Sequence, residues 1–305
     1  MSTENKQRHL DDTMIKALLS GNYSLVESSL ESGANPNATG VSGVNERAKT
    51  ALELAFLLPA EDRAKLVGAL MAHGANPNSN EIPGINLDPR VSAFMSACKR
   101  HDEISAGAML DSSGPVKVDL LERDHNGCTP SMVAINLSPA FLNKMQLFFE
   151  RESMPFCPEL GRDHLWSCVD NEGRNSSMLC WGGLPSLQWL YSQEYIDFPC
   201  LINTRATSSG KTVLWDAADS DTKDSVDYLL GHGAKANIVN NKGESLVSHL
   251  ESLCSDCSLK INRHLLPLRS GIKDSVKAVA SAQMAMASIE EMLDKAPDRG
   301  QKVAP

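Results

Sequence analysis

One phrase occurs three times in this chain: Ser32-Gly33-Ala34-Asn35-Pro36-Asn37, His73-Gly74-Ala75-Asn76-Pro77-Asn78 and His232-Gly233-Ala234-Lys235-Ala236-Asn237. Each copy follows an apolar helical run, marked by Leu25, Val26 and Leu30, by Leu66, Val67 and Leu70, and by Val226, Leu229 and Leu230. A glycine just past such a run is where a helix ends in the left-handed conformation. The phrase therefore predicts a helix stop. Self-similar units of this kind bury their apolar faces by stacking on one another, and stability becomes a sum of nearest-neighbour terms.

A second phrase opens the units. Gly127-Cys128-Thr129-Pro130-Ser131-Met132-Val133-Ala134 and Gly210-Lys211-Thr212-Val213-Leu214-Trp215-Asp216-Ala217 share a glycine, a threonine and an apolar run ending on alanine, and Thr50-Ala51-Leu52-Glu53-Leu54-Ala55 repeats it without the glycine. A turn glycine, a threonine able to cap the following helix and a proline tolerated in the first turn together predict a helix start.

In this order around a pair of short helices, the two phrases resemble the ankyrin repeat, whose pattern is a turn, T-P-L-H-x-A-A, a second helix and G-A-D-x-N. The resemblance covers roughly Met14 to His249. Thr50, Ser92, Thr129, Asn175, Thr212 and Ser245 align on its threonine position, 42, 37, 46, 37 and 33 residues apart, against a family period of about 33. It implies an all-α chain: an ankyrin-repeat solenoid of about six divergent helix-turn-helix units with a C-terminal helical extension. The units at Ser92 and Asn175 keep the size pattern without the letters, and Met154 to Val169 has no repeat equivalent. Glu53, Met132 and Trp215 replace the usual histidine, so its hydrogen bonds must be absent or rebuilt.

The organisation read from the sequence is a disordered N-terminus over 1–13, the repeat domain over 14–258, capping helices over 259–296 and a flexible tail over 297–305. Within the C-terminal part, Val279, Ala282, Met286, Ile289 and Leu293 form an apolar stripe at helical spacing, fit to lie on the last repeat or on a partner.

Composition narrows the function. Aromatic residues are 5% of the 305, which with the Ala, Leu, Val and Met content argues against a β-sandwich. No run approaches the roughly 18 apolar residues of a membrane helix. The first dozen residues are polar, unlike a cleaved export signal. A net charge of −9 disfavours a dedicated nucleic-acid binder, which needs clustered positive charge. Lys260 to Pro305 carries eight basic against five acidic residues, so the acidity belongs to the body. Eight cysteines without the density of a disulfide scaffold fit a reducing, cytoplasmic compartment.

No G-x-S-x-G, Walker-type loop or H-E-x-x-H occurs. Gly231 to Ala236 matches G-x-G-x-x-A, yet it closes a helix instead of following a strand. Cys254-Ser255-Asp256-Cys257 with His249 and His264 is the best zinc candidate, but its histidine spacings follow no common template, and two incidental loop thiols are the plainer reading. No catalytic residue, cofactor or metal is assigned, and the reading is non-enzymatic. The alternative is an enzyme with a site between the 154–169 insertion and the C-terminal region.

By the resemblance, the residues around each turn glycine are the contact set for protein partners: His125, Asn126 and Cys128; Asn171, Glu172 and Arg174; Ser208, Ser209 and Lys211; Asn241, Lys242 and Glu244. Trp181, beside Gly182-Gly183, joins them as a candidate hot spot. Trp215, at a packing position, is expected to be buried. The expected state is a monomer. Insertion-bearing repeats with a helical extension also resemble the ankyrin effectors that Legionella and Coxiella inject into host cells. The acidic Glu290, Glu291 and Asp294 with the apolar Val303 are similar to a type IV secretion signal, which implies a host-cytoplasmic site of action.

Overall fold

The computed structural model describes residues 3–41, 48–78, 91–152, 164–180, 183–259 and 266–294, with the side chains of 254–268, 289 and 292–294 outside the description. Two compact bodies divide the chain, 1–180 with 192–196 and 181–191 with 197–305.

In the first body, helices come in short antiparallel pairs: α1 (Thr3–Leu19) with α2 (Tyr23–Glu31), α3 (Ala51–Ala55) with α4 (Ala60–Ala72), α5 (Ala93–Lys99) with α6 (Glu103–Asp111), and α7 (Pro130–Ala134) with α8 (Pro139–Glu152). The short helices α9 (His164–Ser167) and α10 (Ser176–Leu179) follow. The only strands among the described residues are β1 (Thr39–Gly40) and β2 (Lys49–Thr50), an antiparallel pair two residues long.

The predicted stops hold, and of the three threonines read as caps, Thr50 and Thr129 make the bond whereas Thr212 precedes its helix without a side-chain cap bond. Thr50 accepts from the Glu53 N–H while Glu53 Oε2 accepts from the Thr50 N–H, so the glutamate that replaces the family histidine closes a capping box. Ser92, Thr129 and Asn175 cap α5, α7 and α10 by accepting from Met95, Met132 and Met178. Gly33, Gly74 and Gly233 end their helices at φ of +96°, +92° and +95°.

Between units, one side chain repeats the same bond. Asn37 donates its amide to the Gly74 carbonyl (3.2 Å) and accepts the Asn76 N–H (2.7 Å). Asn78 does the same to Lys117 (2.8 Å) and Asp119 (2.7 Å). Lys117-Val118-Asp119 is thus a further helix-closing loop that no longer carries the Gly-Ala-Asn letters. At the N-terminal end, α1 plays the preceding repeat: Gln7 donates to the Gly33 carbonyl (3.0 Å) and Asp11 accepts from the Asn35 N–H (2.8 Å). With Met14, Ile15 and Leu18 buried, these bonds hold residues 3–13 in a helix where the sequence suggested disorder.

The 154–169 insertion is described from His164 onward. Trp166 is fully buried and donates Nε1–H to Gln146 Oε1 at 2.7 Å, and the Leu165 carbonyl accepts from Ser131 Oγ at 2.6 Å. Leu165 and Trp166 of the insertion are core, while Ser167 and Val169 are exposed.

The second body holds α11 (Leu184–Ser192, save its last residue), α12 (Phe198–Asn203), α13 (Val213–Asp219), α14 (Lys223–Gly231), α15 (Leu246–Leu259) and α16 (Leu266–Asp294). Asn203 makes the same ladder bond, donating to the Gly233 carbonyl (3.0 Å) and accepting from the Lys235 N–H (2.8 Å). Helix α16 packs on α14 and α15. Ile272, Val276 and Ala280 are buried, and Arg269 bridges both carboxylate oxygens of Asp221 at 2.7 and 2.8 Å. Gln283 then donates to the Ala234 carbonyl (3.0 Å) and accepts from the Ala236 N–H (2.9 Å). The docked stripe is therefore Ile272, Val276, Ala280 and Gln283. Of the stripe read from sequence, Val279 is half-buried, Ala282 and Met286 face solvent, and Ile289 and Leu293 lie outside the described side chains.

Candidate functional site

The residues expected to contact partners sit on hairpin tips that share one backbone design. At the first tip, Asp124 Oδ1 accepts from the N–H groups of Asn126 and Cys128, both at 2.9 Å, and the Asp124 N–H donates to the Cys128 carbonyl. Asp170 does the same for Glu172 (2.9 Å) and Arg174 (2.8 Å), and Asn240 for Lys242 (2.9 Å) and Glu244 (3.0 Å). A carboxylate or amide three residues before a left-handed glycine, Gly127, Gly173 or Gly243, thus fixes each turn from inside. The tip at 206–211 closes with the Ala206 N–H on the Lys211 carbonyl, and Ser209 Oγ accepts from the Lys211 N–H.

Neighbouring tips are tied together within each body. Asn171 donates its backbone N–H to the Asn126 carbonyl (2.9 Å) and its amide to the His125 carbonyl (3.1 Å), while Arg123 donates to the carbonyls of Gly127 and Val169. The second body repeats this: Asn241 bonds the carbonyls of Ser209 and Thr207, both at 2.9 Å, and Arg205 those of Gly210 and Val239. A Cβ on Gly127 would lie 2.4 Å from Asn171 Oδ1, and one on Gly210 2.4 Å from Asn241 Oδ1. Those two glycines are needed for the packing of tips as well as for their positive φ.

The tip residues therefore divide by role. His125, Asn126, Glu172, Ser208 and Lys242 are exposed, and Ser209, Lys211 and Glu244 are half-exposed. Asn171 and Asn241 are exposed, with their amides spent on the preceding tip. Arg174 is held by the fully buried Asp170 carboxylate at 2.8 Å, and that pairing outweighs burial to raise its pKa. Cys128 is buried beneath the tip, its sulfur 4.0 Å from Asp170 Oδ2. Burial, with the nearby Asp124 and Asp170 charges, pushes its thiol up to about 11. Its bulk fills the seam. Asp124 is held below the usual carboxylate range: burial opposes this, but bonds from Lys99 and the Cys128 and Asn126 N–H groups prevail. Trp181 lies outside the described residues, as do the side chains of Cys254 and Cys257.

The first helices of the second body add Asp219, which the sequence reading missed, and join it to Lys211, Glu244 and His249, which it named. Lys211 Nζ and His249 Nε2 each lie 2.6 Å from a different oxygen of Asp219, and His249 Nδ1 is 3.5 Å from Glu244 Oε1. This network surrounds the buried Trp215, with Lys211 Nζ 5.5 Å above its ring and His249 tilted against it at 5.3 Å. Lys99, Arg123, Asp124, Asp170 and Arg205 were also missed. The recurring Asp or Asn three residues before the turn glycine was the available signal.

Among the described residues, no three His, Cys, Asp or Glu side chains gather as a metal site requires, and no helix is long and apolar enough to cross a membrane. The arrangement presents chemically varied, exposed side chains on backbone held by hydrogen bonds.

No family model and no curated protein matches this chain. Among solved structures, the ankyrin repeat domain of Bcl-3, a member of the IkappaB protein family, matches over 84% of this chain and 96% of its own length, with a TM-score of 0.52 and 21% identity. The fold is the ankyrin-repeat solenoid, built of helices with almost no sheet among the described residues.

Proposed function

We propose that the chain is a non-enzymatic recognition module that binds protein partners through its hairpin tips and the adjoining first helices. One observation carries this reading: in both bodies the tips are fixed by bonds among backbone, Asp or Asn and Arg, while His125, Asn126 and Lys242 extend from them exposed. A backbone already fixed loses little further entropy on docking, so each tip is preorganised. The tips differ in charge, with Glu172 exposed in the first body and Lys242 in the second, and such charges favour selectivity over general adhesion. We further propose, from the resemblance to injected ankyrin effectors, that the partners are host proteins met after type IV secretion. Glu290 and Glu291 are exposed near the end of α16, where a secretion apparatus could read them.

Proximity labelling in host cells with the wild type and a Glu172→Lys/Lys242→Glu variant tests the module. The expected result is loss of specific partners by a variant with an unchanged circular-dichroism melt, and full retention would reject the tip face. For delivery, removal of 290–305 is expected to abolish transfer of a reporter fusion, and undiminished transfer would reject it.

A further inference from the structure

Among the described residues, the ladder that joins the repeats has one unused rung. Asn37, Asn78 and Asn203 each turn both polar atoms of the side-chain amide to the next loop, donating to one carbonyl and accepting the N–H two residues later, with Asn203 donating also to the Pro199 carbonyl. Asn237 ends the phrase Gly233-Ala234-Lys235-Ala236-Asn237 just as Asn37 and Asn78 end theirs. Its side chain is exposed, and no described residue bonds it. The loop it belongs to is served on one flank by Asn203 and on the other by Gln283 of α16, so α16 supplies an amide to that loop and offers no loop of its own to Asn237.

Asn237 lines an open cleft of about 410 Å³ between this loop and the distal part of α16. The helix wall presents Met286, 62% exposed, with Ala287 and Glu290, and the loop wall presents Lys235. An amide that elsewhere in the chain binds only main chain thus stands beside an apolar surface, with one charge of each sign on the lips.

We propose that this cleft binds an extended segment of a different protein by main-chain recognition, independently of the hairpin tips. A carbonyl of the segment accepts from Asn237 Nδ2, and an N–H two residues further on donates to Oδ1. An apolar side chain of the segment rests on Met286 and Ala287, with an acidic neighbour near Lys235 and a basic one near Glu290. A second copy of this chain is a poor occupant at its first loop, because the Gly33 carbonyl and Asn35 N–H that Asn237 would need are already bonded by Gln7 and Asp11.

The test pans twelve-residue peptides displayed on phage against the full-length protein, with the Asn237→Leu/Met286→Ala protein as counter-selection, and measures synthesised winners by fluorescence polarisation. The expected result is at least a tenfold loss of affinity in Asn237→Leu, an equal loss when one particular peptide nitrogen of the ligand is methylated, and no change in Asn126→Ala. Asn237→Leu should melt at the wild-type temperature, because the amide has no partner to lose. The proposal is overturned if no peptide is enriched, or if the winners are indifferent to Asn237 or to backbone methylation. It is also overturned if Asn237→Leu lowers the melting temperature as Asn78→Ala does, or abolishes a concentration-dependent dimer seen by sedimentation, which would assign the cleft to a second copy.

Discussion

The Asn78 amide grips the backbone of the next loop with both its polar atoms, donating to the Lys117 carbonyl and accepting from the Asp119 N–H 2.7 Å away. A net hydrogen bond contributes about 1 kcal/mol, and stranding its partners costs more. Asn78→Ala is therefore expected to destabilise the chain by about 2 kcal/mol in urea denaturation. A cost within error of zero would show that the ladder bonds do not hold the units together.

The tip glycines separate two physical effects. Gly127 and Gly243 share a positive φ, +79° and +75°, but an added Cβ meets Asn171 at Gly127 and nothing within 4 Å at Gly243. Gly243→Ala should cost about 1 kcal/mol for the left-handed backbone alone. Gly127→Ala should cost clearly more, since the neighbouring tip must also move. Equal costs by thermal denaturation would mean that the tips are not tied to each other.

Legibility in the sequence followed how local each interaction is. Helix stops at Gly33, Gly74 and Gly233 and caps at Thr50, Ser92, Thr129 and Asn175 depend on a few adjacent residues, and were readable. The loop at Lys117 to Asp119 was not, because its geometry is kept by Asn78 from the unit before and its own letters have drifted. The helical N-terminus escaped notice for the same reason: residues 3–13 are polar, and what orders them is the pairing of Gln7 and Asp11 with a loop some two dozen residues away. At the other end, an apolar stripe was visible on α16, but helical periodicity cannot say which of two adjacent faces docks. Arg269 and Gln283, two polar residues, set that rotation. Among site residues the turn positions were found from the glycines. Cys128 was grouped with them although its side chain fills the seam, since spacing alone does not distinguish inward from outward.

Acid should loosen the first tip. The folded state holds Asp124 below its ordinary 3.8, through Lys99 and two backbone N–H groups against the opposing pull of burial. A carboxyl depressed by folding stabilises the native state above its unfolded pKa, and that contribution is lost as pH falls through the folded value. Stability of the wild type should therefore fall relative to Asp124→Asn as pH drops below about 4. Parallel stability curves for the two proteins down to pH 2.5 would contradict this.

Thiol reactivity should follow burial. Cys200 is exposed, whereas Cys128 is buried and its thiol is raised to about 11. Only the thiolate attacks an alkylating agent. Peptide-level mass spectrometry after a short iodoacetamide pulse at pH 8 should show Cys200 modified at least tenfold faster than Cys128. Comparable rates would place Cys128 on the open surface after all.

The tip face is tested most directly by where a bound partner touches. A photo-crosslinking residue can replace Asn126 or Glu172, on neighbouring tips of the first body, or Leu147, which is 66% exposed on α8. Irradiation in cells is predicted to trap the same partner from both tip positions and none from Leu147. Crosslinks from Leu147 with silence at both tips would contradict the account.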